Sequence, residues 1–136
     1  MNNVALPPYG WTAFEVAPSL SRADTLDRVN RLVNAGISPL YGEVSPTDPW
    51  LIAPRSGWCH DYAVTKRWLL LALGFKPGEL LLCECVGPDG AHHLVLRVGN
   101  VVLDNLTDTI GPMRYPVVKQ QSAGNLDVWE SNAPIA

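Results

Sequence analysis

A chain of 136 residues and 14.8 kDa carries one hydrophobic core and is too short for two, so a single domain over 1–136 is expected. Hydrophobic residues make up 47% and charged residues 17%, a balance that buries a core without help from metals or disulfides. Lys and Arg number 10 against 13 Asp and Glu; the net charge of -3 gives no footprint for nucleic acid, and the longest apolar run, 68–75, is far below a membrane span.

Residues 1–20 hold Pro7, Pro8, Gly10 and Pro18, which interrupt any regular element. An N-terminal arm is expected there, pinned by Trp11 and Phe14. The amino terminus has neither the basic nor the long apolar segment of a secretory signal, so a reducing, cytoplasmic location is expected. Ser21-Arg22-Ala23-Asp24 reads as a helix start, and Leu26, Val29, Leu32 and Val33 recur at helical spacing up to Gly36, predicting a helix over 22–35. Pro39, Gly42, Pro46, Pro49 and Pro54 predict a long irregular surface connection over 37–57. A second, largely buried helix is expected over 58–73, with Gly74 ending it and Pro77 blocking extension.

The period then changes from helical to alternating. Strands are expected over 80–86 and 92–98 around the turn Gly87-Pro88-Asp89-Gly90, and a third over 101–104 after the tight loop Gly99-Asn100. The rest reads as irregular, with one further strand near 113–119. Helices followed by an antiparallel meander indicate an α+β domain.

A two-residue loop at Gly99-Asn100 sets a register. Val98 opposes Val101, Leu96 opposes Leu103, and Val95 opposes Asp104. Leu94, Leu96, Val98, Val101 and Leu103 then share a core face, while His93, Val95, Arg97, Val102 and Asp104 share the other. His93 becomes a diagonal neighbour of Asp104, within reach of a side-chain pair, and His92 points the opposite way. A carboxylate fixes the tautomer and orientation of an imidazole, which can then take a proton from a nucleophile. The candidate nucleophile is Cys59, in the first turn of the second helix, where unpaired N–H groups and the dipole favour a thiolate and also offer donors to an oxyanion.

The segment Ser56-Gly57-Trp58-Cys59-His60-Asp61-Tyr62-Ala63, with Lys66 and Leu73-Gly74-Phe75, resembles the nucleophile segment of bacterial transglutaminase-like cysteine peptidases. The likeness continues through Val29-Asn30, Val33-Asn34, His93 to Leu96, Val102-Leu103-Asp104-Asn105 and Ser122 to Asn125 with Trp129, covering most of 25–130. It implies a papain-like core of helices packed on an antiparallel sheet. It also implies a Cys59, His93, Asp104 triad, the same His and Asp that the hairpin register selects. The implied substrate is a protein or peptide in a bacterial setting; charge and apolar run length give no nucleic-acid or membrane partner, and the short, leaderless chain points to an intracellular or phage-derived role. Members of the LapG-like branch carry acidic residues on both sides of the nucleophile that help bind a regulatory calcium ion. Trp58 and His60 stand there in this chain, and Asp61 alone remains, so no calcium, metal or other cofactor is expected.

Other readings compete with these. Cys59 could be an inert buried thiol, His93 a histidine merely satisfied by Asp104, and Asp104 a turn carboxylate. Trp50, Trp58, His60 and Tyr62 are candidates for lining the substrate cleft, although aromatic residues beside a buried helix are more often core. Cys59-His60, Cys83-x-Cys85 and His92-His93 hold the residue types of a zinc site but match no common zinc spacing. The Cys count of 3 is odd, which leaves at least one free thiol. Three functions remain open: hydrolysis of an amide through an acyl-enzyme, transfer of the same acyl group to an amine, and binding without turnover.

Overall fold

The structure, a computed structural model, describes residues 21–41, 49–122 and 125–131. The arm expected over 1–20 lies outside the described residues. Helix α1 spans Arg22–Gly36 and begins as its sequence implies, with the Ser21 hydroxyl accepting the Asp24 N–H at 3.1 Å. Leu26, Val29 and Val33 bury one stripe, and Asn30 is buried within it. Helix α2 spans Cys59–Ala72 and is enclosed on almost every side, from His60 to Lys66 and again over Trp68, Leu69 and Leu70. A helix buried all round is the central element of its domain, and the other elements pack on it.

The connection between the helices departs from the wholly irregular path its prolines suggest. Strands β1, Ser38–Pro39, and β2, Ser56–Gly57, pair in parallel. Proline fits there because its neighbours do the bonding: Ser38 N–H donates to the Arg55 carbonyl at 2.8 Å and Leu40 N–H to the Gly57 carbonyl at 3.0 Å. This pair ties the start of the connection to the residues immediately before Cys59.

A six-stranded sheet follows, built from β3 (Leu80–Val86), β4 (His92–Val98), β5 (Val101–Asp104), β6 (Thr107–Gly111), β7 (Val117–Ser122) and β8 (Asn125–Ser131), in the order β6-β5-β4-β3-β7-β8. All its pairs are antiparallel. The β4–β5 register is the one expected, with Val98 opposite Val101, Arg97 opposite Val102 and Leu96 opposite Leu103. Gly99 takes a φ of +61°, which the tight loop demands of its first residue. The C-terminal third is more ordered than its sequence suggests. Instead of one strand near 113–119 it holds three, and β6 and β8 form the two edges, where polar residues such as Thr107 and Asp108 are tolerated.

One face of the sheet meets α1 and α2 in the main core, through Leu82, Leu94, Leu96, Val98 and Leu103 against Leu69, Leu70 and Trp68. The other face buries Cys83, Cys85, Val95 and Val102 under Leu81, Met113 and Tyr115. The alternation expected for β4 and β5 is therefore the division between two cores. No helix among the described residues is long and apolar enough to cross a membrane.

Candidate active site

Cys59 opens α2, so its backbone N–H has no acceptor within the helix, and its thiol is partly exposed. The Leu94 N–H donates to Cys59 Sγ at 3.4 Å, which joins the helix end to β4 beside His93. On the far side of that imidazole, His93 Nε2 lies 2.7 Å from Asp104 Oδ1. With Nε2 committed to Asp104, Nδ1 is the nitrogen left for a nucleophile, and Cys59 acts on the ring as a hydrogen-bond partner and as a charge. Three side chains from α2, β4 and β5 thus meet at one imidazole.

The electrostatics follow from burial and pairing. Burial opposes a charged His93, but the hydrogen bonds and charges of Asp104 and Cys59 outweigh it and raise the ring from 6.5 to about 9. Burial likewise opposes an ionised Asp104, and is outweighed by His93, the Leu106 N–H and the Tyr115 hydroxyl, which hold the carboxyl below its ordinary value. At neutral pH the site therefore holds an imidazolium beside the Asp104 carboxylate and next to Cys59. Cys83 and Cys85 are of another kind. Both are fully buried, and burial pushes their thiols up to about 11 and about 12.

Asp61 organises the approach to Cys59. Its Oδ1 accepts the Leu51 N–H at 2.8 Å and its Oδ2 the Trp58 N–H at 2.9 Å, so one buried carboxylate clamps the loop and the helix start together. Gly57 is required by this clamp, because a Cβ there would lie 2.7 Å from Asp61 Oδ2. His60, expected to face the cleft, is buried instead, with its ring stacked on Trp50 at 5.3 Å. Tyr62 is buried too, and its hydroxyl donates to the Ile37 carbonyl at 2.9 Å. Both sit on an enclosed helix, so of the four cleft candidates Trp50 and Trp58 are the ones with appreciable exposure.

Tyr115 was not indicated by the sequence. It lies in the non-strand stretch between β6 and β7, where no periodicity marks it, yet its hydroxyl donates to Asp104 Oδ2 at 2.9 Å and its ring meets His93 edge-on at 5.7 Å. Tyr115→Phe removes one donor from a buried carboxylate and is expected to lower stability by about 1–2 kcal/mol, measured by urea unfolding. Alkylation of Cys59 is expected to slow only about threefold, because Oδ1 still holds the ring.

The sequence matches the profile of the bacterial transglutaminase-like cysteine proteinases over residues 8–134. The chain belongs to this family. A comparison with curated proteins finds no match. Among solved structures, calcium-bound LapG of Legionella pneumophila aligns with a TM-score of 0.67 at 19% identity, covering 84% of this chain and 71% of that one. Another LapG structure from the same organism gives 0.61 at 20% identity, over 79% and 67% of the two chains. The EGTA-treated form gives 0.60 at 20% identity, over 79% and 66%. Identities this low speak for the fold, which this transglutaminase-like cysteine peptidase shares with LapG.

Among the described residues, those flanking the nucleophile of this transglutaminase-like protein make a poor oxygen cage for a calcium ion. Trp58 and His60 offer no oxygen side chain, and Asp61 is the one carboxylate at the helix start, each of its oxygens already accepting a backbone N–H. Among the described residues no group of three His, Cys, Asp or Glu side chains is placed to hold any metal.

Proposed function

We propose that the protein hydrolyses an amide bond in a protein or peptide, with Cys59 as nucleophile, His93 as proton shuttle and Asp104 as the group that orients His93. The observation that carries this reading is the single imidazole held by Asp104 at 2.7 Å on Nε2, with the half-buried Cys59 as its second hydrogen-bond partner. The imidazolium favours a thiolate, whose sulfur attacks the substrate carbonyl carbon. The Cys59 N–H at the start of α2 donates to the developing oxyanion. His93 gives its proton to the leaving amine as the C–N bond breaks, leaving an acyl thioester on Cys59. The neutral ring then takes a proton from water, hydroxide adds to the thioester, and the thiolate departs.

The test is acid quenching of a reaction with a peptide library, followed by intact-mass measurement with and without an added primary amine. An acyl adduct on Cys59 with free-acid products is the expected result. Amine-capped products would assign acyl transfer instead, and an alkylatable Cys59 that forms neither adduct nor product would assign binding without turnover.

A further inference from the structure

Lys66 is the most unusual side chain outside the three just described. It lies on α2 two helical turns after Cys59, on the same helix face, and is fully buried in the centre of the domain. Its Nζ has no hydrogen-bond partner. A buried ammonium without partners is among the most costly arrangements a core can hold, and an apolar residue of this length, such as Met, would remove the cost. That a lysine stands there calls for a role other than packing.

Its surroundings point to one. The charges acting on Lys66 are those of Asp104 at the end of β5 and Asp108 on β6. From its own helix, the Tyr62 ring centroid lies 5.8 Å from Nζ. Helix α1 sends uncharged amides to the same turn. Asn30 Nδ2 donates to the Thr107 and Asp108 carbonyls, and Asn34 Nδ2 to the Asp104 and Thr107 carbonyls and to Asp108 Oδ1. The amide oxygens of Asn30, Asn34 and Asn105 are buried and unpartnered, as Nζ is. Three orphaned acceptors thus occur on and beside the turn from Asp104 to Asp108, whose two carboxylates act on Lys66, and the Leu106 N–H of that turn donates to the carboxylate that holds His93.

We propose that Lys66 is a positioning residue of the active site, whose buried amine acts on Asp104 and, through it, on the imidazole that serves Cys59. The role rests on the reading of Cys59, His93 and Asp104 given above. Burial lowers the Lys66 amine to about 7, against the opposing pull of Asp104 and Asp108, so its charge changes within the working range of the site. Below that pH the ammonium offsets part of the Asp104 charge and favours the thiolate. Above it the neutral amine leaves Asp104 to act on His93 in full.

The coupling is reciprocal, so it is readable from both ends. The chain has three lysines, Lys66, Lys76 and Lys119, and their ε-carbons can be followed by NMR in full-length protein labelled with 13C-lysine. One is expected to titrate near neutrality and to shift down by about half a unit or more in Asp104→Asn, which removes a neighbouring negative charge. In Lys66→Met, the acid limb of the Cys59 alkylation profile is expected to move up by a similar amount. Lys66→Arg restores a fixed charge and should return the acid limb. A merely structural role would change thermal stability and leave the acid limb in place.

Three lysines titrating at the ordinary value of about 10.4, a near-neutral lysine indifferent to Asp104→Asn, or superimposable profiles for wild type and Lys66→Met would each overturn the proposal. Such a failure is distinct from failure of the catalytic reading, in which alkylation of Cys59 would not depend on His93 at all.

Discussion

Replacing His93 with Ala is expected to slow iodoacetamide alkylation of Cys59 at pH 7 by at least about tenfold, and to reduce peptide hydrolysis by about a thousandfold or more. The two numbers differ because they report different parts of the same role. Alkylation needs only thiolate, and a free cysteine with its usual value near 8.5 is about 3% thiolate at pH 7, so losing the imidazolium leaves a small but finite reactive fraction. Hydrolysis needs the ring again, to protonate the leaving amine and to activate water, and each proton transfer contributes about 100-fold or more. Cys83 and Cys85 serve as internal controls for the mass-spectrometric readout. Their full burial and raised values, about 11 and about 12, keep them unlabelled in wild type and variant alike. Equal alkylation rates in wild type and His93→Ala would remove the basis for treating Cys59 as an activated nucleophile. Cys59→Ala completes the series, and hydrolysis that survives it would place the chemistry elsewhere.

What could be read from the sequence was whatever a short-range rule determines. The loop Gly99-Asn100 admits one tight turn, that turn admits one register, and the register brings His93 to Asp104 before any coordinates are consulted. The start of α1 at Ser21 and of α2 at Cys59 are local in the same sense. The failures are cases where long-range enclosure decides. Strands β6 and β8 lack a strong alternating apolar pattern and are strands because they extend an existing sheet at its edges. Tyr115 reaches Asp104 from a stretch with no periodic signal. Within Ala63-Val64-Thr65-Lys66-Arg67-Trp68, nothing local marks the lysine as buried; α2 is covered by α1 on one side and by the sheet on the other, and Lys66 falls inside. His60 and Tyr62 looked like cleft residues because they adjoin Cys59, but a helix turns successive side chains by about 100°, so adjacency in sequence is not adjacency at the surface.

Asp104→Asn is expected to lower hydrolysis at pH 7.5 by about a thousandfold and to remove most of the His93 contribution to pH-dependent stability. In the wild type the ring is raised from 6.5 to about 9, so its stabilising contribution is complete below pH 6.5 and is lost as the pH rises through about 9. By the size of that shift it is worth roughly 3 kcal/mol. With Asn in place the charge of Asp104 is gone, and the desolvation of a nearly buried ring is opposed chiefly by Cys59. The folded-state value then falls well below that of the wild type, and the stabilising contribution of His93 shrinks with it. Less imidazolium is then present at pH 7.5 to favour the thiolate, and the amide is free to hold the wrong tautomer. Lys66, whose folded value lies below its unfolded one, adds stability as pH rises from about 7, opposing the wild-type trend. The clean measurement is therefore the difference between wild type and variant from urea unfolding at pH 6, 7.5 and 9.5. That difference should be largest at pH 6 and shrink by pH 9.5, because the variant forfeits an interaction that the wild type itself loses when His93 deprotonates. A difference that stays constant across the three values would mean that Asp104 serves the fold through Leu106 and Tyr115 alone and does not govern the charge of His93.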